Sequence, residues 1–199
     1  MRQRGQNPKG WQKKLPKPIT ARSLQWLSKR HLERYLASET QLRRVLMRRV
    51  NRRLRSFPED DREVMVALVE AEVKRCVDAG LVNDRTLSQL WVERLRNRGD
   101  STLSIQKKLR QKGISSQLIQ ESLERMDSQI EGNAALRCAI AYAKRRGLGP
   151  FRRNPEIRQT RRQKDTAAMM RAGHAYEHIR QVIECEDIDA LIECADYGE

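Results

Sequence analysis

The chain has 199 residues, 38% of them hydrophobic and only 5% aromatic, enough for packed structure around thin cores. Its 41 Lys and Arg against 26 Asp and Glu leave a formal net charge of +15, a self-repelling surplus that steers association with polyanionic or acidic partners. The longest apolar run, Val64 to Val69, has six residues and the four cysteines form no CxxC pair, so no signal peptide, membrane span or disulfide framework is expected and a reduced, cytoplasmic protein is.

Leu, Ala, Arg, Glu and Gln dominate, and no stretch alternates Val, Ile and Thr, which predicts an all-α fold. Residues 1–19 carry six Lys or Arg, no acid and three of the six prolines, the composition of a flexible basic tail. Ser38 and Gln41 form a capping box that opens a helix to about Arg55, since each side chain satisfies a backbone donor of the first turn. Pro58 marks the start of the next helix, which runs to Gly80. Asn83 or Asp84 caps a third, with Leu87, Leu90, Trp91 and Leu95 on one face and Gly99 as its stop. Ser101 opens a fourth that ends at Gly113, and Ser115 or Ser116 begins a fifth.

An internal repeat underlies this punctuation. With an offset of sixty residues, Gly113 matches Gly173, Leu109 matches Met169, Ile119 matches Ile179 and Leu123 matches Ile183. A helix end, a glycine stop and a new helix thus recur. Reuse of such a module predicts an elongated tandem array of three three-helix units, spanning 20–82, 83–130 and 131–199. The third unit is interrupted by the stretch Gly147 to Arg162, whose prolines and glycines predict a basic loop. Residues 184–199 hold seven acids and no base, leaving +22 on the first 183 residues. That acidic end either packs on a basic helix of its own chain or imitates a phosphate backbone.

Charge gathers in three clusters. In the stretch Arg43 to Arg55 seven of thirteen residues are Arg, and on a helix Arg44, Arg48, Arg52 and Arg55 share about 80° of arc opposite Leu42, Leu46, Val50 and Leu54. Such a stripe is either a solvated face or a docking surface; with few acids at i, i+4 to relieve its repulsion, docking is the favoured reading. Arg94, Arg96 and Arg98 precede a second cluster of Lys107, Lys108, Arg110 and Lys112, and the third comprises Arg152, Arg153, Arg158, Arg161 and Arg162. Arginine's planar fork suits phosphate and carboxylate alike, although a GC-rich genome produces the same bias.

Chemistry-bearing motifs are sparse. His174, Glu177 and His178 spell H-x-x-E-H, the pattern of an inverted zinc-protease site, but too little chain follows to build a second substrate lobe, so no metal is expected. Trp26, Trp91, Tyr35, Tyr142 and Tyr176 offer faces on which nucleic-acid bases stack, yet Trp26 and Trp91 sit in apolar stripes and read as core. No phosphate-binding loop or catalytic triad is present. Neither an enzyme nor a cofactor is expected.

The segments SLQWLSKRHLERYLASETQLRRVL, GLVNDRTLSQLWVERLRNRG with SIQKKLRQKGISSQLIQESLE, and RQTRRQKDTAAMMRAGHAYEHIRQVI resemble the RecX family, bacterial regulators of the RecA recombinase. The resemblance covers about Thr20 to Ile183 and is most specific at Gly80-Leu81, Asp84, Arg98-Gly99, Ile105, Leu109, Lys112-Gly113-Ile114 and Leu123. Leu87 and His174 stand where the family usually has an aromatic, and Asp100-Ser101 replaces the commoner tyrosine-glycine. The resemblance implies a modular helical protein that lies in the groove of the RecA filament on single-stranded DNA. There it dampens ATP hydrolysis, strand exchange and co-protease activity, restraining recombinational DNA repair and the SOS response. It implies no active site. The alternative is a stand-alone helical protein that binds single-stranded nucleic acid without RecA. A monomer is expected, since no long heptad seam is evident.

Overall fold

The computed structural model describes residues 15–130 and 132–197, and most of the basic tail expected over 1–19 lies outside them. The described residues form ten α-helices and two short 3-10 turns, with no strand among them. None of these helices is long and apolar enough to cross a membrane. The chain divides into two compact units: residues up to Tyr35 with Leu42–Ala79, and Leu36–Gln41 with the chain from Gly80 onward.

In the first unit, α1 (Ala21–Leu32) packs against α3 (Arg62–Asp78), and α2 (Glu39–Ser56) supplies the third apolar face. A reciprocal capping box starts α1, with the Thr20 hydroxyl accepting from the Ser23 amide at 3.2 Å and the Ser23 hydroxyl accepting from the Thr20 amide at 3.0 Å. Leu24, Leu42, Leu46, Val50, Val69, Val73 and Cys76 are buried, so the apolar side expected of α2 does face a core. Glu72 is buried as well. Its burial raises the carboxyl pKa, but hydrogen bonds from Arg75, Ser28 and Cys76 outweigh that penalty and hold it below the ordinary range. The start expected at Pro58 moves to Arg62, because the Asp61 carboxylate caps the helix by accepting from the Glu63 and Val64 amides.

In the second unit, α4 (Asp84–Asn97), α5 (Thr102–Gln111) and α6 (Ser116–Asp127) enclose Leu87, Val92, Leu95, Ile105, Leu109, Ile119 and Leu123. Asn83, Ser101 and Ser115 cap them in turn. Leu90, expected on the core face of α4, points to solvent and Ser88 takes the inward place, bonded to Ser122 at 2.8 Å. A separate core lies among α7 (Ala134–Arg146), α8 (Arg158–Arg171), α9 (Tyr176–Glu184) and α10 (Ile188–Tyr197), centred on Leu136, Ala139, Ala143, Met169, Ile179 and Val182. Two 3-10 turns, Gly149–Phe151 and Pro155–Ile157, replace much of the loop expected over 147–162, and α8 begins before that stretch ends. The acidic end is folded: α10 packs on α7, and Asp196 pairs with Arg137 at 2.9 Å.

The sixty-residue repeat has a backbone counterpart. Gly113 and Gly173 adopt φ of +82° and +86°, a left-handed stop that glycine reaches without strain. After each stop the same bond recurs, from the Ile114 amide to the Leu109 carbonyl at 3.1 Å and from the His174 amide to the Met169 carbonyl at 3.2 Å. A serine seats on each helix end: Ser101 donates to the Ala172 carbonyl at 2.6 Å, and Ser38 donates to that of Lys112. Closeness is required there, because a Cβ at Gly113 would fall 2.3 Å from Thr40 Cβ and one at Gly173 would fall 2.8 Å from Ser101 Oγ.

Candidate docking surface

Helix α2 presents the first cluster. The Ser38 and Gln41 capping box sets its phase, the Ser38 amide donating to Gln41 Oε1 and the Gln41 amide to Ser38 Oγ, both at 3.1 Å. With Leu42, Leu46 and Val50 inward, Arg44, Arg48, Arg52 and Arg55 are exposed on the other side. Among the described residues no carboxylate pairs with Arg48, Arg52 or Arg55. Their neighbours on the same helix differ. Arg43 is forked onto Glu70 of α3 at 2.7 Å, and Arg53 pairs with Asp60, donates to the Pro16 carbonyl and lies 3.4 Å from the Phe57 ring centroid. The i, i+4 arc therefore separates structural arginines from those left facing solvent.

The second cluster is partly committed within its own unit. Asp100, nearly buried, takes both Lys108 and Arg98, the latter at 3.3 Å. Arg96 is buried and bonds Asp127 at 2.7 Å. Trp91 is half-buried and packs against the core of α4, α5 and α6, as expected, while Arg94 and Lys112 also lie over its ring, the ammonium at 4.1 Å from the centroid. Arg110 reaches Ser116, and Lys107 is exposed.

In the third cluster, Arg152 is engaged internally, its guanidinium on Asp165, which is 2% exposed and also accepts from the Gly149 amide at 2.9 Å. Burial raises the Asp165 pKa, but the bonds from Arg152 and Gly149 prevail and hold the carboxyl below its usual range. Arg158 donates to the Pro150 carbonyl and Arg162 pairs with Glu184. Arg153 and Arg161 are exposed. Position in the sequence grouped these five, whereas the fold divides them between packing and surface.

The H-x-x-E-H motif assembles no ligand set. Glu177 is largely exposed, His178 Nε2 lies 3.3 Å from Asn133 Nδ2, and His174 packs on Tyr142 with ring centroids 5.0 Å apart. Desolvation lowers the His174 pKa to about 4, so that ring is neutral at pH 7. Among the described residues no trio of His, Cys, Asp or Glu is placed to hold a metal.

One feature escaped sequence reasoning. Trp26 is 60% exposed, with the Arg30 guanidinium 5.1 Å from its ring centroid, beside a groove that Arg22, Arg49 and Lys17 help to line. The signal was present: Arg22, Trp26 and Arg30 stand at i, i+4 and i+8, so the indole shares a helix face with two cations instead of with Leu24.

The geometry defines an all-helical protein, built from repeated helix–glycine–helix modules and carrying solvent-facing cations. The RecX second three-helix domain matches residues 83–123. The protein named Regulatory protein RecX from Myxococcus xanthus is 34% identical over 171 residues, covering 86% of this chain and 89% of its own. The Regulatory protein RecX of Corynebacterium efficiens is 29% identical over 48% of this chain and 46% of its own, and that of Streptomyces coelicolor 32% identical over 37% and 40%. No solved structure matches. The chain belongs to the RecX family.

Proposed function

We propose that this RecX-family protein regulates RecA in the cytoplasm, docking as tandem three-helix units in the groove of the RecA filament on single-stranded DNA. Occupying that groove blocks subunit addition or holds an inactive geometry, which lowers ATPase, strand-exchange and co-protease activity without any chemistry of its own. Kinship over most of the chain to a protein named Regulatory protein RecX carries the reading. The exposed arc of α2 supports it, because Arg48, Arg52 and Arg55 face solvent with no carboxylate of the described residues to neutralise them. A filament of protein on DNA is anionic and repetitive, and so meets both the charge and the repeat.

The test is RecA's DNA-dependent ATPase titrated with the protein at physiological salt. A progressive fall at or below stoichiometric amounts is expected, with tighter binding to RecA-coated strand than to bare strand. An unchanged rate at stoichiometric protein would overturn the proposal.

A further inference from the structure

A groove of about 650 Å³ opens in the first unit beside the N-terminal turn of α1. Its apolar surface is Trp26 and Leu27, and its flanks are Lys17, Arg22, Arg49 and Arg52. No acid lines it, and none of those four cations has an ion pair among the described residues. The exposed indole is the unexpected element, since a tryptophan in a helical unit this small would contribute most by being buried. The α1 N-terminus adds partial positive charge at the same edge.

We propose that this groove holds a single-stranded nucleic acid directly, with one base lying on the Trp26 indole and the adjoining phosphates on Arg22, Arg49 and Arg52. A strand is the ligand that repeats a flat π-face and an anion at short spacing, matching an aromatic floor between cations. An acidic peptide would satisfy the arginines and leave the indole wet. Stacking accepts any base, so the interaction is independent of sequence. The proposal rests on the regulatory reading only for the identity of the strand, the DNA within the filament; the binding itself requires no RecA.

Fluorescence anisotropy of labelled oligothymidine titrated with the full chain tests it. Trp26→Ala is expected to weaken binding about tenfold or more, while Trp26→Phe keeps most of the affinity. Replacing Arg49 and Arg52 with Gln removes two phosphate partners and should flatten the log–log salt dependence by roughly 1.4, at about 0.7 for each phosphate. Helicity by circular dichroism should match the parent, since Trp26 is mostly outside the core. Equal affinity of parent and Trp26→Ala for oligothymidine, or no binding by the parent, overturns the proposal. The same proteins assayed on the RecA ATPase keep the two readings apart. A parent without effect on ATPase sinks the regulatory reading alone, whereas a Trp26→Ala protein that loses the ATPase effect with its oligothymidine affinity intact makes the groove a protein-binding surface and sinks this one.

Discussion

Two arginine-rich stretches of this chain look alike in sequence and end in different electrostatic states. In α2 the arginines at Arg48, Arg52 and Arg55 stand exposed, with no ion pair among the described residues. From Arg152 through α8, Arg152 is tied to buried Asp165, Arg158 to the Pro150 carbonyl and Arg162 to Glu184. The difference is the reach of an acceptor. α8 carries its own inward carboxylate and lies within reach of the end of α9, whereas α2 places Arg48, Arg52 and Arg55 toward solvent, away from any carboxylate of the described residues. A basic run therefore marks a docking surface only after the anions of its own fold have been assigned.

The contrast is sharpest in a charge reversal. Replacing Arg44, Arg48 and Arg52 together with Glu should leave helicity unchanged and cost several kcal/mol of binding to RecA-coated single-stranded DNA, roughly a hundred- to a thousandfold. Pull-down or anisotropy with the coated strand measures it, and retained affinity would return the arc to an ordinary solvated face. A smaller loss, in stability rather than binding, is expected from Asp165→Ala, which strands Arg152 and the Gly149 amide. Breaking such a buried pair costs about 3 kcal/mol in urea unfolding. Because the folded-state pKa of Asp165 is depressed, its contribution is complete above the ordinary carboxylate pKa of about 4 and disappears as pH falls through the lower folded value. The variant should lack that part of the acid limb. Smallest of all is Arg162→Ala: the Arg162 and Glu184 side chains are 48% and 43% exposed, so stability should fall by less than about 1 kcal/mol, and by less still at high salt. A larger loss there would erase the distinction between buried and surface pairing in this segment.

What the sequence determined by itself is local. The all-α class, the Ser101 cap, the Ser38 and Gln41 box, the glycine stops and the recurring module all follow from backbone donors and φ angles satisfied within about four residues, whereas the structure chose Asn83 over Asp84 and Ser115 over Ser116. The order of those residues also sufficed to point to the family. A helix start shifts where a stronger local cap competes, as Asp61 does with Pro58. Only the tertiary structure decided which face of α4 turns Leu90 outward, that Trp26 lies beside a groove instead of in a core, and which arginines remain exposed. Those outcomes depend on partners remote along the chain. Arg152 meets an acid 13 residues away and Arg162 one 22 residues away, while Ser38 seats on a carbonyl 74 residues away. Helical periodicity states which side chains share a face, and the packing of other helices against that face settles which of them keep their charge for a partner.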